Sequence, residues 1–476
     1  MYWKLIEMGA DVENQDGPLA KEEIVESKRA FKECYEECFP EIISNLNNKK
    51  LHPLFGIETE YHGVGENFEA IPGAGKAVKK IYPEVHEDCG SQMLELNSSP
   101  FSATKKGPSL CLEELMGKEN KMRGAYEQIY SFQPLPIGIH PKFTTEEDYS
   151  RFLPDRKRAQ ILTPSILERM KPEDMVFIEE GTGEKINFGK VPGGGFMNSL
   201  HISISGTNDR HSVLLYNIAN ALSGPLIALA ANSCAMDKKL TTFEDTHLFV
   251  YENNKDIANG VPRVGNVPKY LNSLDDYFRA MLEFDPVFKY DEKDPLGSLH
   301  NHFSSTWPWV KAQVNGFYRV EFRPMPKQPT LIEDMAVSSL FLYSVLALEE
   351  EMGGIINTKE NINNYCNKQL FPSNYLIQNS HRAAAQGFDA KLAWKGKFVP
   401  AQNVLMELYE KAARYMKKHG IKQDSYEIVR ANEPRIEKRM NPSRKFRKNV
   451  KTYGFDEALN IYFDHTVNKR NTPYVR

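Results

Sequence analysis

The stretch Tyr318-Arg319-Val320-Glu321-Phe322-Arg323-Pro324-Met325 alternates charged and apolar residues. In a β-strand, residues two apart share a face. Arg319, Glu321 and Arg323 therefore line one side, with Val320 and Phe322 on the other. Three further stretches repeat the arrangement. Gly56-Ile57-Glu58-Thr59-Glu60-Tyr61 sets Glu58 and Glu60 against Ile57, Thr59 and Tyr61. Leu94-Glu95-Leu96 sets Glu95 opposite two leucines, and Leu200-His201-Ile202-Ser203-Ile204-Ser205 sets His201, Ser203 and Ser205 opposite Ile202 and Ile204.

If the four strands join one sheet, one face collects Glu58, Glu60, Glu95, His201, Glu321, Arg319 and Arg323. Four carboxylates together repel unless something cationic neutralises them, and burying unpaired charge costs several kcal/mol per ion. Oxygen-rich sites with an occasional imidazole suit Mg²⁺ or Mn²⁺. Arginines beside such ions suit phosphate. The pattern points to a site for divalent metal and nucleoside triphosphate, built on a sheet.

The rest of the chain sets bounds on this site. Its 476 residues suffice for a large core, and a net charge of −3 does not mark a polyanion binder. The start of the chain shows no signal peptide, and no apolar run reaches 18 residues, so neither membrane nor nucleic acid is expected as a partner. Six cysteines without a Cys-x-x-Cys pair fit reduced thiols and a cytoplasmic setting. Gly73-Ala74-Gly75-Lys76 falls short of a phosphate loop, because Ala70 replaces the first glycine and Ala77 the metal-binding hydroxyl.

Periodicity and capping signals predict a helix over 18–48 with a break at Pro40, and a second over Leu110–Phe132. A short strand is expected to end near His140. A turn is expected at Glu180–Gly183 and another at Pro192–Gly195. A long helix is expected over Ser212–Met236, kinked at Gly224-Pro225. Residues 241–300, rich in Asp, Asn and Pro, suggest long loops near the site. Asn315-Gly316 signals a hairpin, and Thr330-Leu331-Ile332-Glu333 is a capping box starting a helix to about Met352. Helices are expected over Asn361–Leu370, Tyr375–Gln386 and Ala401–His419. The basic run 435–451 reads as a solvated face or tail, with contact to ATP phosphates or an acidic partner as the alternative. His300 and His302 read as a surface or substrate-adjacent pair, and Trp307 and Trp309 as packing. Arg210, Arg263 and Lys311 are candidates to receive a substrate carboxylate. The chain divides into an N-terminal helical cap (1–50), a catalytic sheet-and-helix core (51–352) and a C-terminal helical region packed on it (353–476).

Gly56-Ile57-Glu58-Thr59-Glu60, the Asp88…Glu95 pair, Leu200-His201-Ile202-Ser203 and Arg319-Val320-Glu321-Phe322-Arg323 together resemble the glutamate–cysteine ligase family, in particular its carboxylate–amine ligase branch. They also share the motif logic of glutamine synthetase. The resemblance spans about residues 50–390. It implies an α+β fold: a curved, mainly antiparallel sheet with helices on its outer face, a glutamine synthetase-like catalytic domain. It implies two metal positions, one held by Glu60, Asp88 and Glu95, the other by Glu58, His201 and Glu321. Arg323 would contact the phosphoryl group in flight, and Arg319 phosphate or substrate. Relatives often show His-x-His where this chain has Ser203, and an acidic residue after the arginine where it has Pro324-Met325-Pro326-Lys327.

The chemistry implied is ATP- and Mg²⁺- (or Mn²⁺-) dependent ligation of a small-molecule carboxylate, such as the γ-carboxylate of glutamate, to an amine through an acyl phosphate. Aligning and neutralising two anions needs metals and arginines rather than a nucleophilic side chain. The alternatives are a guanidino or amine kinase on the related fold, and a non-catalytic nucleotide-binding protein. Homo-oligomerisation follows from the resemblance alone.

Overall fold

The computed structural model describes residues 12, 15–47, 53–143, 149–167, 176–187, 193–252, 257–258, 261–314 and 316–475. Its main sheet has six strands: β1 (Leu54–His62), β2 (Met93–Asn97), β3 (Phe101–Ser102), β4 (Ser199–Gly206), β5 (Val310–Val314) and β6 (Tyr318–Pro326). They run in the order β5-β6-β4-β1-β2, with β3 also on β1, and every pairing is antiparallel. The four alternating stretches thus join one sheet, although 256 residues separate the first, ending at Tyr61, from the last, beginning at Tyr318.

Helices α1 (Lys21–Asn47), α2 (Asp209–Ala230), α3 (Thr246–Tyr251), α4 (Leu274–Leu282), α5 (Pro295–Ser304) and α6 (Leu331–Met352) surround the sheet. The apolar strand face, with Ile57, Ile202, Ile204, Val320 and Phe322 buried, joins one large core with α2 and α6. Phe322 stacks on Phe341 of α6 at 4.2 Å between ring centres. Side-chain caps fix the helix starts: Asn208 accepts from the His211 amide, Ser273 from Asp276, and Thr330 from Glu333, whose carboxylate accepts from the Thr330 hydroxyl at 3.0 Å. Among the described residues, two helical segments, α2 and Leu331–Asn357, are long and apolar enough to cross a membrane, but their most apolar stretches are almost wholly buried inside the fold.

Pairing of β6 with β4 shifts by one residue between Phe322 and Met325. Arg323 and Pro324 together face the single residue His201, a β-bulge that re-aims the side chains around it. The Arg323 amide turns instead to the carbonyl of Trp309, at 2.8 Å.

Several expectations are corrected. Pro40 does not break α1, because Phe31, Cys34, Tyr35 and Phe39 bury one face of the helix across that point. Helix α2 starts at Asp209 and stops at Ala230, and Ala235–Met236 then pairs with Lys239–Leu240 in a small hairpin. The segment before His140 makes only isolated bridges, His62 with Leu135 and Ile139 with Met197. Residues 241–300 are not simply loops, since α3, α4 and α5 lie there. The Glu180–Gly183 turn closes the hairpin Val176–Ile178/Lys185–Asn187, and Gly193–Phe196 forms a 3₁₀ turn, while Pro192 and Asn315 lie outside the described residues.

The basic run is a solvated face only in part: Lys438, Arg439, Lys448 and Lys451 are exposed, but others are not. Arg435 is 1% exposed, ion-paired with Glu333 and bonded to the Gln328 side-chain oxygen at 3.0 Å. Arg444 pairs with Glu244 at 3.0 Å and Asp389 at 2.8 Å, and Arg447 donates to the Thr241 and Phe243 carbonyls. The run is folded into helices Glu433–Glu437 and Pro442–Tyr453, so part of it faces inward. Truncating one partner of a buried pair strands the other charge, so Arg435→Ala is expected to cost about 3–5 kcal/mol in urea-unfolding free energy.

A carboxylate-lined candidate active site

The register assembles the site. Glu58 lies opposite His201 across β1 and β4, and Glu60 opposite Glu95 across β1 and β2. Glu321 lies opposite Ser203 on one side and Lys311 on the other. Asp88 enters from the segment preceding β2. Two groups of candidate ligand atoms lie within 4.8 Å of one another: Glu60, Asp88 and Glu95, and Glu58, Glu60 and His201. Glu60 is common to both. Glu321 is held by ion pairs to Arg323 and, at 3.6 Å, to Arg319, and Gln313 donates to it at 2.9 Å.

The electrostatics divide the face in two. Burial pushes the Glu60 carboxyl well above the usual range, and the charges of Asp88 and Glu58 push it further. Burial likewise raises Glu95, with Glu58 and Asp88 adding to it. Burial also opposes ionisation of Glu58 and Glu321, yet both lie low: the His201 imidazole outweighs burial at Glu58, and Arg323 and Arg319 do so at Glu321. One half of the face therefore carries more negative charge than its neighbours balance. The other half is satisfied by arginines. A hard divalent cation fits the unbalanced half, because its preferred ligands are carboxylate oxygens held at short mutual distances.

Some contributors were invisible in the sequence. The Ser199 amide donates to Glu60 at 2.5 Å, and backbone donors carry no residue signature. Asn97 donates to Glu95 at 2.5 Å, and Arg156 donates to the Asp88 carbonyl at 2.8 Å. Helix α3 supplies His247, whose Nε2 is 2.9 Å from the Ser199 hydroxyl, and Tyr251, whose hydroxyl bonds Arg323. Tyr251 stacks on buried Trp309 at 4.5 Å, and Trp309 donates from its indole to Glu252 at 2.5 Å. His381 reaches the same carboxylate at 2.5 Å. Tyr251→Phe removes one hydrogen bond to a charged group, so kcat is expected to fall about 10-fold with little change in KM.

Other candidates are occupied elsewhere. Arg210 binds the carbonyls of Ile355, Ile356 and Glu360, and Arg263 those of Ser305 and Asp285. His302 is buried against Phe31 and bonded to the Met281 carbonyl, whereas His300 is half-buried near Lys311. Lys311 donates to the Thr306 carbonyl at 3.0 Å, and burial lowers it to about 7 although Glu321 pulls the other way.

A family model for glutamate-cysteine ligase family 2 (GCS2) matches residues 54–454. The chain belongs to that family. Among solved structures, a glutamate–cysteine ligase from Francisella tularensis in complex with AMP aligns with TM-score 0.57 and 11% identity, over 90% of this chain and 91% of that one. A bifunctional glutathione synthetase from Pasteurella multocida aligns with TM-score 0.56 and 11% identity, over 90% of this chain. This chain spans about half (54%) of the length of that protein. At such identities the likeness establishes a shared fold of helices and antiparallel sheet. No curated protein sequence matches significantly.

Proposed function

We propose that this glutamate-cysteine ligase family member activates a small-molecule carboxylate, such as the γ-carboxylate of glutamate, as an acyl phosphate and passes the acyl group to an amine. A carboxylate oxygen attacks the γ-phosphorus of ATP, the bond to the β-phosphate bridging oxygen breaks, and ADP leaves. The amine nitrogen then attacks the acyl carbon, inorganic phosphate departs, and the amine proton goes to phosphate or solvent. The observation that carries the proposal is the pair of carboxylate groups joined at Glu60, with Arg323 on the same strand face.

Glu60, Asp88 and Glu95 would hold one Mg²⁺ or Mn²⁺, and Glu58, Glu60 and His201 the second, while Glu321, which the family resemblance also assigns to the second ion, is engaged by Arg323 and Arg319. Bound there, the ions neutralise triphosphate and carboxylate so that two anions can approach. The chain does the rest. Glu321 fixes the Arg323 fork, Tyr251 supports it from α3, and Arg323 faces the charge that develops on the transferred phosphoryl group. Arg319 receives a neighbouring phosphate or substrate oxygen. Ser199 and Asn97 hold Glu60 and Glu95 in place.

On this reading the sheet is the curved floor of a glutamine synthetase-like domain, with α2 and α6 on its outer face. Residues 1–50 then form a cap, 51–352 the catalytic core and 353–476 a helical flank. A cytoplasmic enzyme, acting on small molecules as a homo-oligomer without nucleic acid or membrane, completes the proposal. The deciding experiment pairs carboxylates with amines, follows Mg²⁺-dependent ADP release and identifies products by mass spectrometry. An amide plus free phosphate supports the ligase. A stable phosphorylated compound would assign a kinase instead, and binding of ATP without turnover across the panel would leave only a nucleotide-binding role.

A further inference from the structure

Beside the catalytic face, along the free edge of β5, lies an open cleft. Its walls come from four elements. Phe39 and Ile42 of α1, Phe278 and Met281 of α4, and Leu299 and Phe303 of α5 face it across β5. One end differs. There Lys311 and Gln313 of β5 lie with His300 and Ser304 of α5. Gln313 is the residue bonded to both Glu321 and Arg319, so the polar end opens onto the phosphoryl-transfer arginines.

Lys311 at that end, and Arg158 behind Ser304, are bonded to neutral atoms. Lys311 donates to the Thr306 carbonyl, and Arg158 donates to the side-chain oxygens of Asn301 and Ser304. An incoming carboxylate would complete such an arrangement. Clefts with apolar walls and a few convergent polar groups are the usual form of small-molecule sites. A purine would need donors and acceptors spread along those walls, whereas the polar groups cluster at one end.

We propose that this cleft receives the acceptor substrate, an α-amino acid with an apolar side chain: the side chain lies along Phe39, Met281 and Leu299, and the carboxylate lies at Lys311 and at Ser304, to which Arg158 donates from behind. This places its amine at the mouth beside Arg319, next to the reacting acyl group. The inference rests on the ligase reading and narrows its amine substrate.

The experiment measures ADP release with a fixed carboxylate and a series of amines. Phenylalanine and leucine are expected to exceed glycine at least 10-fold in kcat/KM, since each added buried methylene gives about 10–200-fold in such pockets. Phenethylamine, which lacks the carboxylate, is expected to fall at least 10-fold below phenylalanine. Filling the cleft with Leu299→Trp, or with Ile42→Trp at the half-buried rim should the first variant misfold, is expected to raise the KM for phenylalanine at least 10-fold. Calorimetry with phenylalanine gives a readout independent of turnover: saturable binding to the unsubstituted protein, weakened at least 10-fold by either variant. Glycine or cysteine matching phenylalanine in rate, a KM rise for ATP rather than for the amine, or no calorimetric binding of phenylalanine would overturn the inference while ADP release with other amines kept the ligase reading. Absence of amine-dependent ADP release despite phenylalanine binding would instead overturn the ligase reading.

Discussion

Arg323→Met is expected to reduce amine-dependent ADP release by about 10³-fold or more. In the proposed reaction the guanidinium meets charge that grows during phosphoryl transfer, and such groups commonly supply factors of that size. The loss should fall on kcat, with the KM for ATP changing less, because the contact strengthens only as the transition state forms. Removing Arg323 also takes away the main partner of buried Glu321, leaving Arg319 at 3.6 Å as its remaining arginine. A thermal shift should therefore report lowered stability, of the order of 3 kcal/mol. Arg323→Lys keeps the charge but loses the planar fork, so it should restore stability more than rate. Unchanged ADP release in Arg323→Met would remove this residue from the mechanism.

The second large effect concerns Glu60. Glu60→Gln should abolish metal-dependent turnover, again by about 10³-fold or more, because one substitution damages both carboxylate groups. Stability should move the opposite way. Glu60 and Glu95 carry carboxyls raised above their unfolded values, so the folded chain binds more protons than the unfolded one. Their contribution is fully present below the usual carboxylate range and is lost as pH rises through the raised values. In chelator, the melting temperature should fall as the pH rises above the usual carboxylate range, with Mg²⁺ reversing the fall. Glu60→Gln removes one of the repelling charges, so in chelator at pH 8 it should melt no lower than the unsubstituted protein while losing most of the Mg²⁺-induced rise. A variant melting well below the unsubstituted protein in chelator, or retaining the full rise, would contradict the account.

Much of this face was legible because alternation reports the orientation of each residue directly. Glu58, Glu60, Glu95, His201, Glu321, Arg319 and Arg323 all derive from one rule applied to four short stretches. Strand order was not legible, since nothing in Leu200–Ser205 says that β4 lies between β1 and β6. Tyr251 and His247 escaped because α3 is only six residues long and too short for a helical period to emerge from its polar surroundings. Arg435 was misread for a different reason. A run of like charges looks the same in sequence whether it meets water or, as here, a buried carboxylate such as Glu333 supplied by a helix about 100 residues earlier. Pro40 misled in the same way, because the apolar contacts that hold α1 straight are made with distant elements.

The one-residue bulge at Arg323-Pro324 has a consequence of its own. Arg323 and Lys327 are four apart, an even interval, and in an uninterrupted strand they would point the same way. Instead Arg323 joins Glu321, while Lys327 pairs with buried Asp334, to which Thr59 also donates from the opposite surface of the sheet. The inserted residue acts as a phase switch, letting a single segment equip the reaction centre and then anchor the hydrophobic interior a few residues later. Without the extra residue the two would stand three apart, an odd interval that already sets them on opposite faces, so the bulge is what lets a four-residue spacing do the same.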